Sequence, residues 1–452
     1  MRARIRAHSF SGTIRIPASK SHTIRQLVIA GFAQSDIGDD GVSEIIFPLD
    51  SLDTGSCAAV CRALGAAIIE NRDGGRLVSY TVRGNNGSMA GGQERRIDVG
   101  NSGTALYFVM AAAGLGSGLF TITGDDSLRR RSAAPLLDAL RALGVRAESV
   151  NGNGCAPVVV QGPWKGGKAS LYCQTSQYLS ALLLAAPCAP AGTVTELSVP
   201  LLNERPYIEM TLSYLDARGI PYEAADDFSR FVIPGGAAWK PFSRAVPGDF
   251  SSAAFPACAA AISGGPVTIL GLDPNDTQGD KYFFEILSRM GCEVCWEEVP
   301  ASDTAAGTGE YRVTVSRGGG RHGSLRGGTF DLNATPDLLP PAAVTAAFAE
   351  GDTVLCNAAH ARIKESDRIA VMAAGLGALG VRCTERPDGL IVHGAGQAGV
   401  SGGIVDSHGD HRVAMAFAAA ALAARSPIAI DGAECAAVSY PGFLELLQGE
   451  NY

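Results

Sequence analysis

The feature that most constrains this chain is a short pattern used five times, a helix tail running into a glycine and then a strand. It reads C-R-A-L-G-A-A-I at Cys61–Ile68, L-R-A-L-G-V-R-A at Leu140–Ala147 and L-D-A-R-G-I-P-Y at Leu215–Tyr222. It returns as L-S-R-M-G-C-E-V at Leu287–Val294 and L-G-A-L-G-V-R-C at Leu376–Cys383. Gly65, Gly144, Gly219, Gly291 and Gly380 recur roughly 70–90 residues apart, the mark of one supersecondary unit repeated. Each glycine fits a left-handed helix cap before a strand.

A second marker accompanies the first: a polar cluster that opens an Ala-rich helix. The six starts are Ser19–Arg25, Asn101–Thr104, Thr175–Tyr178, Asp249–Ser252, Pro336–Leu339 and Asp410–Arg412. Each unit therefore reads strand, helix, strand, helix and a short hairpin. A sixth helix, Phe443–Gln448, has no strand after it, and the N-terminal strand is expected to supply one, closing the chain end to end.

Six units exceed one core, so 452 residues divide naturally into three units per domain. The Pro/Gly-bearing stretch 234–248 is the mid-chain boundary, and the N-terminal strand implies a second crossing near Pro17–Ser19. The expected domains are residues 1–18 with 246–452, and residues 19–245. Two crossings make a hinge, with polar helix starts lining the cleft.

Composition narrows the function. A hydrophobic content of 46% and a charged content of 18% describe an ordinary soluble globular protein. A net charge of −8 argues against a broad basic nucleic-acid face, yet permits a locally basic cleft for small anions. Met1–Pro17 alternates like a strand rather than a secretory signal, and apolar runs such as Val413–Ala424 are too short for a bilayer. A cytoplasmic location with no membrane partner is expected. Eleven cysteines and seven histidines give no metal spacing; Cys292 and Cys295 form C-x-x-C within an apparent strand, without a second pair.

Other look-alikes fail on context. Gly162–Ala169 is one residue short of a phosphate-binding loop and runs into strand, not helix. Of two G-x-G-x-x-G matches, Gly375–Gly380 closes a helix, and Gly394–Gly399 precedes neither a helix nor an acidic residue.

The most informative start is A-R-I-K-E-S-D-R, Ala361–Arg368, where Ile369, Met372, Leu376 and Leu379 continue with helical spacing. Read as a helix opening, it puts Lys364, Glu365 and Arg368 on one face. The bland interpretation is a surface helix with weak intrahelical ion pairs. Helix capping accounts equally blandly for the six polar starts. It does not account for Lys20, Arg25 and Arg412 in first turns, where the helix dipole disfavours cations by roughly 0.3–1 kcal/mol each. An anionic ligand would reverse that cost.

Together the starts resemble the EPSP synthase (3-phosphoshikimate 1-carboxyvinyltransferase) family over nearly the whole chain. The resemblance rests on P-x-S-K-S-x-x-x-R at Pro17–Arg25, G-N-S-G-T at Gly100–Thr104 and G-D-x-S-L-R-x-R at Gly124–Arg131. It continues through T-S-Q-Y at Thr175–Tyr178, R-P-Y-I-E at Arg205–Glu209, R-I-K-E-S-D-R at Arg362–Arg368 and D-H-R-x-A-M at Asp410–Met415. It implies an α/β (α+β) fold, a two-domain inverted β-prism of six βαβαββ units, and enolpyruvyl transfer from phosphoenolpyruvate to the 5-hydroxyl of shikimate 3-phosphate. Lys20, Asp337 and Glu365 would be catalytic. Lys20, Ser21, Arg25, Thr175, Ser176, Gln177, Asp337 and Lys364 would hold shikimate 3-phosphate. Lys20, Gly103, Arg131, Gln177, Arg368 and Arg412 would hold phosphoenolpyruvate. No metal or organic cofactor is implied, and a monomer is expected.

Five positions depart from the family pattern. Val438 stands where A-K-S-Y-P places a lysine, Tyr107 where many members carry arginine, and Glu204 where a serine precedes R-P-Y. His360 replaces a frequent asparagine, and Ser132 the proline of L-R-x-R-P. These departures motivate a non-catalytic or altered-specificity paralogue as the alternative. A UDP-N-acetylglucosamine carboxyvinyltransferase is the other, opposed by the absence of a cysteine near Ser127–Ser132.

Overall fold

The computed structural model describes residues 1–34, 41–85, 94–300, 310–319 and 323–449. The chain divides into two compact units: Met1–Ser19 with Pro247–Tyr452, called the first unit below, and Lys20–Val246, the second.

The repeat is visible strand by strand. In one unit, strand Arg95–Asp98 leads to helix Gly103–Ala113, strand Phe120–Thr123, helix Ala134–Ala142 and the hairpin Arg146–Ser149 with Val158–Gln161. The first two strands pair in parallel; the hairpin strands add antiparallel, giving a four-stranded sheet. Six small sheets occur among the described residues, three in each unit. All five repeated glycines have positive φ, as a helix cap before a strand requires. Alternation sets the sheet faces: in Val194–Leu202, Thr195, Leu197 and Val199 are buried, while Val194, Ser198 and Pro200 are exposed.

Three pairings close the units. Arg2–Ile5 pairs antiparallel with Ile428–Asp431, completing the last sheet from the opposite end of the chain as expected. Gly12–Arg15 pairs in parallel with Val267–Leu270, so the N-terminal segment serves two sheets of the first unit rather than one. Ser243–Ala245 pairs with Val42–Ile46 and supplies the first sheet of the second unit from its far end.

The cores explain where a site can form. In the second unit, helices Lys20–Phe32, Gly103–Ala113 and Gln177–Ala185 are buried along their lengths; the residues left partly open are Lys20, Ser21, Thr104 and Gln177, all at their starts. In the first unit, Phe250–Ser263, Leu339–Ala347 and His411–Ala421 are equally dry and pack on one another. A helix apolar on every side must be surrounded by protein. Its N–H groups at the start still need partners, so dry helices present polar ends.

Two look-alikes resolve simply. Gly167–Cys173 is a strand, and Trp164 is buried with its indole N–H on Thr195 Oγ1 at 3.0 Å, so no phosphate loop forms there. A Cβ on Gly375 would meet the Phe417 ring at 2.3 Å, so that glycine serves helix packing. Cys292 is buried while Cys295, on the same strand, is exposed, and no metal-ligating cluster occurs among the described residues.

Candidate active site

In the first unit, four of the predicted residues, Asp337, Glu365, Arg368 and Arg412, form one network with Asp410, and the charge of a fifth, Lys364, acts on Asp337. Arg368 has a side chain only 1% exposed and donates to three carboxylates: Asp337 at 2.5 Å, Glu365 at 2.6 Å and Asp410 at 2.8 Å. Arg412 joins the other oxygen of Asp337 at 2.9 Å. Burial alone would raise the Asp337 carboxyl, but Arg412, Arg368 and Lys364 together hold it well below the usual carboxylate range. Arg368 likewise keeps its charge despite burial, because Asp410, Glu365 and Asp337 surround it.

The backbone that presents this network differs from the expected one. A 3-10 turn covers Ala359–Ile363, and the α-helix begins only at Arg368, capped by Asp367 through the Ala370 N–H at 3.1 Å. Lys364 and Glu365 therefore stand in the loop ahead of the helix, not on its face. The reason is Arg362: it binds Asp367 and Glu385 at 2.8 Å each, together with the carbonyls of Arg386 and Pro387, and so bends the loop. The Glu365–Arg368 ion pair of the bland interpretation exists, but it is part of a buried network.

The second unit holds the remaining predicted residues in three groups. Lys20, the first helical residue, is stabilised against the helix dipole by Asp53 at 3.0 Å. Arg25 lies in the second turn rather than the first, with Ser21 a turn ahead. It is 2% exposed and hydrogen-bonds to neutral groups: Thr211 Oγ1 at 3.0 Å, Ser180 Oγ at 3.1 Å, and the carbonyls of Tyr207 and Ser21 at 3.0 and 3.2 Å. Burial lowers its pKa to about 10. Gly103 meets Arg131 and Gln177; a Cβ there would lie 3.1 Å from the Arg131 guanidinium and 3.4 Å from the Gln177 oxygen. Arg131 is further anchored to Asn101 Oδ1 at 2.5 Å.

Thr175 and Ser176 form the third group, at the start of helix Gln177–Ala185. Both face Glu204: its Oε2 accepts the Thr175 hydroxyl at 3.1 Å, the Ser176 N–H at 2.9 Å and the Ser176 hydroxyl at 2.7 Å. Two other departures touch each other. Tyr107 and Tyr178, ring centroids 4.8 Å apart and edge-on, both donate to the Ser132 carbonyl, at 3.0 and 2.7 Å. They fix the chain immediately after Arg131.

Residue-by-residue reasoning missed several partners. Asp410 lies in a recognised motif, yet its role as the second buried counter-ion of Arg368 has no spacing signal. Asp53 reads as an ordinary acidic first-turn residue. Asp280 is 1% exposed and accepts from Ser251; burial, then the neighbouring Asp337 charge, pushes it up to about 7 against the pull of Arg412 and Ser251.

The family model described as EPSP synthase (3-phosphoshikimate 1-carboxyvinyltransferase) matches residues 6–447. The chain belongs to the EPSP synthase family. Relatives named 3-phosphoshikimate 1-carboxyvinyltransferase include that of Acetivibrio thermocellus, 43% identical over 99% of this chain and 97% of its own length. That of Halobacterium salinarum is 41% identical over 99% and 98%. An EPSP synthase structure from Acinetobacter baumannii superposes with a TM-score of 0.78 at 29% identity, covering 100% of this chain and 98% of that one. Family membership carries the two-domain mixed α/β fold and the enolpyruvyl transfer of the shikimate pathway. The paralogue and UDP-sugar alternatives are not favoured. Among the described residues no helix is long and apolar enough to cross a membrane.

Proposed function

We propose that Asp337, Glu365 and Lys20 carry the chemistry of this enolpyruvyl transfer and that the cations of both units serve the same two substrates. The 5-hydroxyl oxygen of shikimate 3-phosphate bonds to C2 of phosphoenolpyruvate, its proton passing to Asp337, while C3 gains a proton managed by Glu365 and Lys20. The tetrahedral intermediate then breaks its C2–O bond to phosphate and returns a methyl proton to the Glu365 and Lys20 pair, restoring the double bond as an enol ether. Every atom of the products comes from the two substrates.

The observation that supports this reading best is Asp337 held between Arg368 and Arg412. So paired, a carboxylate is a poor base. Phosphoenolpyruvate brings its own carboxylate and phosphate to those guanidiniums, which are suited to forked anion contacts. Once they turn to the ligand, Asp337 loses its two restraints and its proton affinity rises when the hydroxyl must be deprotonated. Arg131, Lys20, Gly103 and Gln177 complete the phosphoenolpyruvate set. Ser21, Arg25, Thr175, Ser176, Gln177 and Lys364 take shikimate 3-phosphate. Charge neutralisation by preplaced cations supplies the main rate effect. We further infer that the protein acts as a cytoplasmic monomer, its two compact units serving as the domains.

Release of inorganic phosphate from the two substrates together tests the reading. The wild type is expected to release it only when both are present. Asp337→Asn is expected to lower kcat by about 10²–10⁴-fold; a loss under tenfold removes Asp337 from the base role.

A further inference from the structure

We infer that Glu204 is a specificity-determining residue, an internal anion that the phosphate of the acceptor has to displace. The inference rests on the assignment of Thr175 and Ser176 to shikimate 3-phosphate, and it concerns a position where this chain differs from its family pattern.

Glu204 is 1% exposed and sits just ahead of helix Arg205–Asp216 with φ 59° and ψ 43°. A left-handed backbone is unfavourable for a residue with a side chain, so something must hold it there. Its Oε2 collects three donors: the Thr175 hydroxyl, the Ser176 N–H and the Ser176 hydroxyl. Those donors stand at the start of a helix buried along its length, where the free N–H groups and the dipole favour negative charge. Glu204 also supports the charge of buried Arg25. The side chain therefore does for this helix end what a bound anion would do.

A phosphate monoester presents three oxygens and close to two negative charges at neutral pH, matching the same three donors. It cannot share them with an ionised carboxylate at hydrogen-bond distance, because like charges in a buried setting repel strongly. Binding of the phosphorylated acceptor is then an exchange in which Glu204 leaves the donors and the phosphate takes them. An acceptor without the phosphate makes no such demand. The consequence is a weakened preference for shikimate 3-phosphate over shikimate, relative to a chain with a short hydroxyl residue here. Serine would add a donor instead of a charge.

The test compares wild type with Glu204→Ser and Glu204→Gln. Two quantities are read: the ratio of kcat/KM for shikimate 3-phosphate to that for shikimate, and the Kd of shikimate 3-phosphate by calorimetry. Glu204→Ser is expected to raise the ratio at least tenfold, through a lower KM with kcat nearly unchanged, and to tighten Kd by a similar factor. Glu204→Gln keeps the length and an accepting oxygen without the charge, and should move both in the same direction by less. An unchanged or reduced ratio, or a weaker Kd in both variants, overturns the inference and leaves Glu204 as a structural cap. If wild type releases no phosphate from the two substrates, the catalytic assignment fails by itself. The calorimetric comparison, which needs no turnover, still decides the role of Glu204.

Discussion

The two units solve opposite versions of one problem, keeping a guanidinium inside protein. In the first, Arg368 is surrounded by Asp337, Glu365 and Asp410, and the network is charge-rich and self-satisfied. In the second, Arg25 is as deeply buried but is held by hydroxyls and carbonyls. An anion arriving at Arg368 must compete with carboxylates bonded directly to it, whereas the hydrogen bonds of Arg25 go to neutral groups and Glu204 supports its charge only electrostatically. The first arrangement ties ligand binding to a change in Asp337; the second ties it to affinity.

Substituting the two arginines separates these cases. Arg368→Met leaves Glu365 and Asp410 facing an apolar side chain, and breaking a buried ion network costs about 3–5 kcal/mol. A large fall in Tm is expected, together with loss of turnover. Arg25→Met removes a charge whose burial was itself unfavourable, so its Tm should fall far less. Its Kd for shikimate 3-phosphate should weaken by about 10–100-fold, the equivalent of one charge-assisted contact. Equal destabilisation by both substitutions would erase the distinction between the units.

Much of the architecture could be read from residues, because each unit repeats a constraint that only a few residue types satisfy. Gly65, Gly144, Gly219, Gly291 and Gly380 all adopt the backbone conformation their positions demanded. The unpaired last helix likewise pointed to the strand Arg2–Ile5. What escaped is of another kind. The helix at Arg368 starts later than periodicity suggests because Arg362 folds the preceding loop through partners some twenty residues on, including Glu385. Asp53, Asp280 and Asp410 matter through contacts spanning tens of residues, which no local pattern encodes. The departures were visible singly, but the contact between Tyr107 and Ser132 is a property of the fold.

A smaller effect is expected at Val438, which ends the short turn Ala433–Val438 in the first unit, where the family resemblance implies a lysine. Val438→Lys should lower KM for phosphoenolpyruvate about tenfold, as one added charge-assisted bond would. An unchanged KM would mean that the resident cations already satisfy the donor.

The mildest consequence concerns the first unit alone and depends on pH. Asp280 makes no ion pair among the described residues; its Oδ1 lacks a hydrogen-bond partner there, and its neighbours are Ser251, Asp249, Asp337 and Arg412. Burial first, then the Asp337 charge, raises it from 3.8 to about 7. A carboxyl whose pKa is higher folded than unfolded favours the native state most in its protonated form. Its contribution is therefore complete below about pH 4 and is lost as pH rises through 7. Asp280→Asn keeps the shape and cannot ionise, so its Tm relative to wild type should climb between pH 5 and pH 8, by a few degrees at most. A difference that stays flat over that range would mean that Asp280 is already ionised at pH 5. Asp280 would then stand as a second anion beside Asp337, and the surplus of negative charge around Arg368 and Arg412 would be larger than the ion pairs alone suggest.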